Sequence, residues 1–202
     1  MISIAVTGGV ACGKSYFCSQ FAERAPGGAV ERFSSDEVVD ELWSRSDVLE
    51  SFSALEGAEG TLVDGVPNRA LLRQRAFANS DFREKLEKSL HPLVLDEARS
   101  FIDRHSDSAR LLLIEVPLLY EVEFPVPRDL DVVIAASRTT QLQRLQKGRE
   151  LESELANQII DSQLPLEQKI SRSDLVVWND GHFDVFDAQI DHLVRRCSTV
   201  FT

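Results

Sequence analysis

The sequence predicts an α/β protein built on a doubly wound parallel sheet, and three observations support this. Short apolar runs rich in Val, Ile and Leu alternate with helical patterns along the chain. Such unbroken runs are typical of parallel strands, which helices cover on both faces. The first run also leads into a glycine-rich turn and then a helical pattern, which is the order expected of a strand–turn–helix unit.

Five runs predict the strands of this sheet. The first reads ISIAV from residue 2, and the second, AVERF, covers residues 29–33. The other three are LLLIE at 111–115, DVVIAA at 131–136 and DLVVWN at 174–179. Because strands and helices alternate, we expect helical crossovers between parallel neighbours.

Helical patterns fill the segments between these runs. One helix is expected over KSYFCSQFAERA, closed by the PGG turn at 26–28. A second begins at SSDEVVDELW, where Ser34 and Glu37 have the spacing of a capping box. Further helices are expected at 139–147, 152–163, 166–173 and about 183–197.

Residues 44–106 differ in character, because helical patterns dominate and no strong buried strand is present. The helical patterns are RALLRQRAF and the longer run at 81–105, in which Pro92 should kink or break the helix near His91. We interpret this segment as a helical insertion in the α/β core.

The turn after the first strand has the pattern G-x-x-x-x-G-K-S of a phosphate-binding loop. Its glycines allow backbone N–H groups to point at phosphate oxygens, and the following helix adds its positive dipole end. Lys14 would reach the β- and γ-phosphates, and the Ser15 hydroxyl would ligate Mg²⁺. The alternative is a chance glycine turn before a helix. The pattern predicts nucleoside triphosphate binding by Gly8, Gly9, Val10, Ala11, Cys12, Gly13, Lys14, Ser15 and Tyr16.

The amino-acid composition limits the classes of partner and the cellular compartment that we expect for this chain. The 202 residues carry a net charge of −11, which argues against nucleic acid or an anionic membrane, since both favour basic patches. The three cysteines are an odd number without metal-ligand spacing, so a reducing compartment is expected. Neither a membrane span nor a signal peptide is apparent, and we expect a cytoplasmic protein, monomeric by default.

The loop alone does not separate a kinase from a GTPase or an ATPase. A guanine-specific N-K-x-D element is missing, and WNDG at 178–181 lacks the lysine.

A kinase needs an acid beside the acceptor hydroxyl, and Asp36, just after the second strand, is placed for this role. Alternatively, Asp36 only enriches the first turn of its helix. Glu115, which ends LLLIE, is a candidate for holding a Mg²⁺-bound water, or it is simply solvated.

A set of motifs occurs in order across essentially the whole chain: TGG…GKS, SSDEVV, LEKSLHP, VPLLYE, QLPLEQK and SDLVVWNDG. In sequence and order, this set resembles that of the dephospho-coenzyme A kinase family of P-loop small-molecule kinases. The resemblance implies a P-loop kinase-like fold with a helical substrate-domain insertion and a helical lid. The implied parts are a nucleotide-binding core (1–35, 107–140 and 174–202), a dephospho-CoA-binding domain (36–106) and a lid (141–173).

The resemblance also implies an activity. It is the transfer of the γ-phosphoryl group of ATP, with Mg²⁺, to the ribose 3′-hydroxyl of dephospho-CoA, which is the final step of coenzyme A biosynthesis. Two alternatives stay open. One is another P-loop small-molecule kinase, acting on a nucleoside or a nucleoside monophosphate. The other is a nucleotide-binding module that has lost catalysis, since Ser34 replaces a family Asp and Gly148 replaces a basic residue.

Individual roles follow from the same resemblance. Asp36 becomes the base. Arg69 and Arg73 match basic positions suited to the substrate's pyrophosphate, with a solvated helix face as the alternative for both. His91 matches the family's HP pair and is expected to face the substrate, or else marks a structural turn. The other predicted substrate-binding residues form a wall and its rim: Pro117, Leu118, Leu119 and Glu121.

In the lid, the resemblance implies a cation that closes over the ATP phosphates. Arg144 is retained from the family pattern, and Lys147 or Arg149 could replace the charge missing at Gly148. We take Arg149 as the catalytic candidate. Asn179 and Gly181 match the loop on the adenine side, with an ordinary turn as the alternative.

Overall fold

The computed structural model describes residues 1–27, 29–63, 65–108 and 110–197, and their side chains except those of residues 73 and 77. In chain order the elements are β1 (Ile2–Gly8), α1 (Lys14–Arg24), β2 (Val30–Ser34), α2 (Ser35–Leu42), α3 (Ser46–Ser53), β3 (Leu62–Val63), β4 (Val66–Pro67), α4 (Arg69–Ala78), α5 (Ser80–His105), β5 (Leu111–Glu115), β6 (Leu130–Ala135), α6 (Arg138–Arg149), α7 (Ser153–Asp161), α8 (Leu166–Arg172), β7 (Leu175–Trp178) and α9 (Phe183–Arg196).

The chain forms two compact units. The first comprises Met1–Ser34 and Phe101–Thr202, and the second comprises Ser35–Ser100. The segment 141–173 lies within the first unit, and its role as a lid stays a prediction.

The first unit contains a five-stranded sheet in the order β2-β5-β1-β6-β7, with every neighbouring pair parallel. The register aligns the carboxyl ends of its strands, since Glu115 is opposite both Val6 and Ser34, and Gly8 is opposite Ile134. This edge therefore presents the loop that follows β1 beside the last residue of β5. The predicted doubly wound parallel sheet is confirmed.

Both faces of the sheet are covered. On one face, Phe17 and Phe21 of α1 and Ile190 of α9 pack with sheet residues such as Val6 and Ile134. The residues that alternate with these along the strands are also buried, as the exposures of Ala5 (1%), Leu112 (0%) and Val133 (0%) indicate. This pattern explains why the strands are continuous apolar runs in the sequence.

The second unit has a small core of its own. Phe52, Ala58, Leu72 and Phe82 are buried together, and Trp43 packs edge-on to Phe52 with ring centroids 5.0 Å apart. The helix α3 and the hairpin of the two-residue strands β3 and β4 lie in the segment 44–106, for which the sequence predicted helices and no strong buried strand.

Pro92 was expected to kink or break the long helix; the break is wrong, and a kink near His91 stays a prediction. The helix α5 runs continuously from Ser80 to His105 with Pro92 inside it. Proline removes one backbone N–H from the helical ladder, and the remaining bonds of a helix this long continue on both sides. Among the described residues, none of the helices has both the length and the apolarity of a membrane span.

Candidate active site

The loop between β1 and α1 depends on two glycines for different reasons. Gly8 has φ +143°, and a Cβ there would lie 2.0 Å from the Ile134 carbonyl oxygen of β6. Gly13 has φ +98°, and a Cβ there would lie 2.6 Å from Asn179 Nδ2. That amide donates to the Cys12 carbonyl oxygen at 2.8 Å, so Asn179 supports the loop directly.

Lys14 and the start of α1 form the cationic end of the loop. Gly13 caps α1 without a side-chain hydrogen bond, which leaves the first helical N–H groups facing the loop. Lys14 is 8% exposed, and its ammonium group donates to the Gly9 carbonyl oxygen at 2.9 Å and to the Gly8 carbonyl oxygen at 3.4 Å. This arrangement of N–H groups, helix dipole and ammonium suits an anion.

Ser15 and Glu115 form a hydroxyl–carboxylate pair beside the loop. The Ser15 hydroxyl donates to Glu115 Oε1 at 2.6 Å, and Glu115 is 2% exposed at the end of β5. Hydroxyl and carboxylate oxygens are ligands that Mg²⁺ prefers, so the pair fits that ion. Among the described residues, no group of three or more His, Cys, Asp or Glu side chains is placed to hold a metal ion.

Arg144 joins the loop to the segment that follows β7. Its guanidinium donates to the Ala11 carbonyl oxygen at 3.0 Å and to the Asn179 carbonyl oxygen at 2.8 Å. Asp180 Oδ1 accepts from the Ser137 N–H at the start of α6 at 2.7 Å. Burial opposes ionisation, but the hydrogen bonds from the Ser137 N–H and the Thr140 and Ser137 side chains, with the charge of Arg144, outweigh it and lower the pKa of Asp180. The predicted nucleotide-binding residues Arg144, Asn179 and Ala11 are thus held together.

Tyr16 uses its side chain to link α1 to α9. Its hydroxyl donates to Asp187 Oδ1 at 2.9 Å, and Arg24 pairs with Asp187 at 2.8 Å. Burial and the hydrogen bond to Asp187 raise the pKa of Tyr16. The contribution of Tyr16 to nucleotide binding would therefore come from its backbone, and this role stays a prediction.

Cys12 is a structural residue of the loop. Its side chain is 0% exposed, and burial raises the pKa of the thiol despite the opposing charge of Lys14. Its backbone N–H donates to the Gly9 carbonyl oxygen at 3.3 Å, which closes the turn.

The segment after β5 is divided between core and surface. The Pro117 carbonyl oxygen accepts from the Thr7 hydroxyl at 3.1 Å. Leu119 is 1% exposed and packs in the core, whereas Leu118 is half-buried. Of the two leucines, Leu118 is therefore the one whose side chain is open to a ligand. Glu121 Oε1 is ion-paired with Lys169 at 2.8 Å.

The remaining predicted residues lie elsewhere. Asp36 is exposed in the first turn of α2, His91 is half-buried in α5, and the guanidinium of Arg69 pairs with Asp40 at 2.6 Å. All of these belong to the second unit, so their roles toward an acceptor stay predictions, and the Arg73 side chain lies outside the described ones.

The end of α6 and the turn after β7 are open to solvent. A Cβ on Gly181 or on Gly148 would meet no atom within 4 Å. Lys147 and Arg149, on either side of Gly148, are exposed. Either cation is therefore available as the predicted replacement for the family's basic residue.

Sequence reasoning missed three residues that contact the site. Gln163 accepts from the Val10 N–H at 2.9 Å, and Lys169 and Thr7 both donate to the Pro117 carbonyl oxygen, at 2.9 Å and 3.1 Å. The motif QLPLEQK contains Gln163 and Lys169, but neither residue type carries a signal of burial in the sequence.

The comparison with known proteins decides the family. The sequence matches the family described as dephospho-CoA kinase over residues 2–184. The chain belongs to the dephospho-CoA kinase family. A curated dephospho-CoA kinase of Syntrophotalea carbinolica is 31% identical over 198 residues, which cover 97% of this chain and 92% of that protein. Membership of this family makes the chain an ATP-dependent kinase.

Solved structures support the fold of the dephospho-CoA kinase family. The protein TT1252 from Thermus thermophilus has a TM-score of 0.72 at 22% identity, covering 96% of this chain and 97% of that one. A dephospho-CoA kinase from Campylobacter jejuni has a TM-score of 0.60 at 20% identity, covering 96% of each chain. At these identities the likeness shows the fold.

Proposed function

We propose that this chain transfers the γ-phosphoryl group of ATP to the ribose 3′-hydroxyl of dephospho-CoA, giving coenzyme A and ADP. The observation that carries the proposal is the phosphate-binding loop, in which the Ser15 hydroxyl is hydrogen-bonded to Glu115 at 2.6 Å. The match to the family spans nearly the whole length of the chain.

The loop is suited to holding the nucleotide in an orientation for transfer. Its N–H groups and Lys14 would bind the phosphates, while Arg144 keeps the loop and the Asn179 segment together. Bound Mg²⁺, held by Ser15 and through water by Glu115, would neutralise charge that develops on the transferred group. Asp36 would accept the proton of the attacking hydroxyl.

The acceptor contacts are proposed from the family pattern. Arg69 would bind the pyrophosphate of dephospho-CoA, with His91, Pro117 and Leu118 nearby along the substrate. Arg69 would first have to leave its ion pair with Asp40, which costs little because both side chains are about half exposed.

The test is ADP release with ATP and Mg²⁺, in the presence and absence of dephospho-CoA. We expect strong acceptor-dependent turnover in the wild type and a loss of about 100-fold or more in Asp36→Asn, in line with removal of a general base. The matched control is Asp96→Asn, which makes the same change on the exposed side of α5.

Two results would count against the proposal. Nucleotide binding without stimulation by dephospho-CoA would mean that the acceptor is another alcohol or that catalysis is lost. Equal turnover in Asp36→Asn and Asp96→Asn would be compatible with the proposed reaction but would contradict the role of Asp36 as its general base.

The proposed role of Glu115 in Mg²⁺ binding is tested by the Mg²⁺ dependence of turnover. Glu115→Gln should raise the Mg²⁺ concentration needed for half-maximal turnover, because an amide binds Mg²⁺ more weakly than a carboxylate. Glu23→Gln, on the exposed side of α1, is the control. An unchanged Mg²⁺ dependence in Glu115→Gln would contradict the role.

A further inference from the structure

Lys169 of α8 is 0% exposed, which is rare for an ammonium group. Its Nζ donates to the Pro117 carbonyl oxygen at 2.9 Å, pairs with Glu121 Oε1 at 2.8 Å and lies 3.5 Å from the Gly8 carbonyl oxygen. Gly8 begins the phosphate-binding loop, and Pro117 follows the neighbouring strand β5. One buried cation therefore contacts both segments that leave the centre of the sheet.

The chain just before α8 contacts the same two segments. Gln163 Oε1 accepts from the Val10 N–H within the loop at 2.9 Å. The Leu164 N–H donates to Glu121 Oε1 at 2.9 Å. We call Gln163, Lys169 and Glu121 together the brace. The brace fixes the loop at Gly8 and Val10 and fixes the segment after β5 at Pro117.

We propose that the brace holds the phosphate-binding loop in its nucleotide-binding conformation, which makes Lys169 and Gln163 positioning residues for the phosphates. A loop binds phosphate through the N–H groups that point inward, and its outward-facing groups need other partners. Lys169 holds one of these, the Gly8 carbonyl oxygen, and Gln163 holds another, the Val10 N–H. Lys14 also donates to the Gly8 carbonyl oxygen, at 3.4 Å. When Lys14 turns toward a phosphate, Lys169 remains to hold that carbonyl.

The proposal deepens the proposed function and rests on it only in that the loop binds nucleotide. It predicts that loss of the brace weakens contacts to phosphates and leaves contacts to the base and sugar unchanged. A merely structural lysine would affect both groups of contacts or neither. ADP and adenosine, which differ only in the phosphates, separate these cases.

The variant must not leave a buried charge unpaired. Lys169→Met alone would strand the Glu121 carboxylate, since truncating one partner of a buried pair is strongly destabilising. The double variant Lys169→Met with Glu121→Gln removes both charges and keeps side chains of similar volume. Lys88→Met is the matched control, because Lys88 is 73% exposed on α5.

The experiment measures the dissociation constants of ADP and adenosine by NMR titration of the full chain, with thermal unfolding to verify folding. In the double variant we expect ADP affinity to fall tenfold or more and adenosine affinity to stay within twofold of the wild type. Lys88→Met should match the wild type for both ligands.

Gln163→Ala is the second variant, and it decides the matter if the double variant does not fold. It removes one hydrogen bond to Val10 from a half-buried side chain, so we expect a loss of at least threefold in ADP affinity with adenosine unchanged. ADP affinity within twofold of the wild type, or an equal loss for adenosine, overturns the proposal. Because neither ligand is the acceptor, a protein that binds ADP but ignores dephospho-CoA fails the proposed function while still testing the brace.

Discussion

Two glycines illustrate how a single Cβ has opposite effects at different places. At Gly13, φ is +98° and the added carbon would lie 2.6 Å from Asn179 Nδ2. At Gly148, near the end of α6, it would meet nothing within 4 Å. Position therefore decides what the same substitution does.

We predict that Gly13→Ala destabilises the protein by about 1–3 kcal/mol and weakens nucleotide binding, because alanine is strained at this φ. Gly148→Ala should stabilise it by up to about 1 kcal/mol, since alanine is the better helix former. Urea unfolding of both variants tests the pair. Similar stability of the two variants would contradict the assignment of strain to Gly13.

At the scale of elements, the α1–α9 pairing depends on Asp187. Its carboxylate accepts from Tyr16 and from Arg24. Burial opposes ionisation, but the hydrogen bond from Arg24 and then that from Tyr16 outweigh it and lower the pKa of Asp187. A carboxyl whose pKa is lowered by folding stabilises the native state above its unfolded pKa.

Asp187→Asn should therefore reduce the free energy of unfolding at pH 7. The difference from the wild type should shrink as the pH falls below about 4, because the carboxyl of the unfolded wild type becomes protonated there and that of the folded protein becomes protonated at lower pH. Urea unfolding at pH 7, 4 and 3 measures this, with Asp96→Asn as the control. A difference that stays constant down to pH 3 would exclude the charge of Asp187 as its cause.

The second prediction at the scale of elements concerns the end of α6. Arg149 is exposed in the last turn, next to Gly148. If Arg149 contacts the phosphates when the segment closes, Arg149→Ala should lower kcat by about 100-fold while ATP affinity changes much less, because the contact forms in the transition state. Steady-state kinetics and ATP titration measure the two effects. The same separation in Lys147→Ala, but not in Arg149→Ala, would assign the cation to Lys147 instead.

At the scale of the whole molecule, the two units have separate cores, and the described nucleotide-site contacts all lie in the first. Leu72→Ala, in the core of the second unit, should cost about 2–5 kcal/mol and raise the KM for dephospho-CoA. ADP affinity should be unchanged at temperatures where the variant is folded. Leu71→Ala, at a partly exposed position of the same helix, is the control. Parallel loss of ADP affinity in Leu72→Ala would mean that the units do not act separately.

The sequence was most informative where one local signal determines the structure. The strands β1 and β5 are recognisable because burial on both faces requires unbroken apolar runs, and the loop because its glycines are obligatory. The helix α3 and the hairpin of β3 and β4 were missed because segments this short carry little periodicity. Pro92 does not break α5, because its local cost is outweighed by the rest of that helix.

The brace could not be predicted for a different reason. Lys169 and Gly8 are 161 positions apart, and only the folded sheet brings them together. Composition favours an exposed lysine, so neither pattern nor propensity indicates a buried one. The sequence therefore predicts the residues that meet phosphate far better than those that support them.

The burial of Cys12 makes its rate of alkylation a measure of how often the loop opens. A thiol with no exposed surface and a raised pKa reacts with alkylating reagents only when its surroundings open. The rate at which iodoacetamide modifies Cys12, resolved from Cys18 and Cys197 by peptide mass spectrometry, would therefore report how often the loop opens. Bound nucleotide should slow this labelling. The labelling rate of Cys12 would therefore also report how much of the protein holds nucleotide, without any added dye.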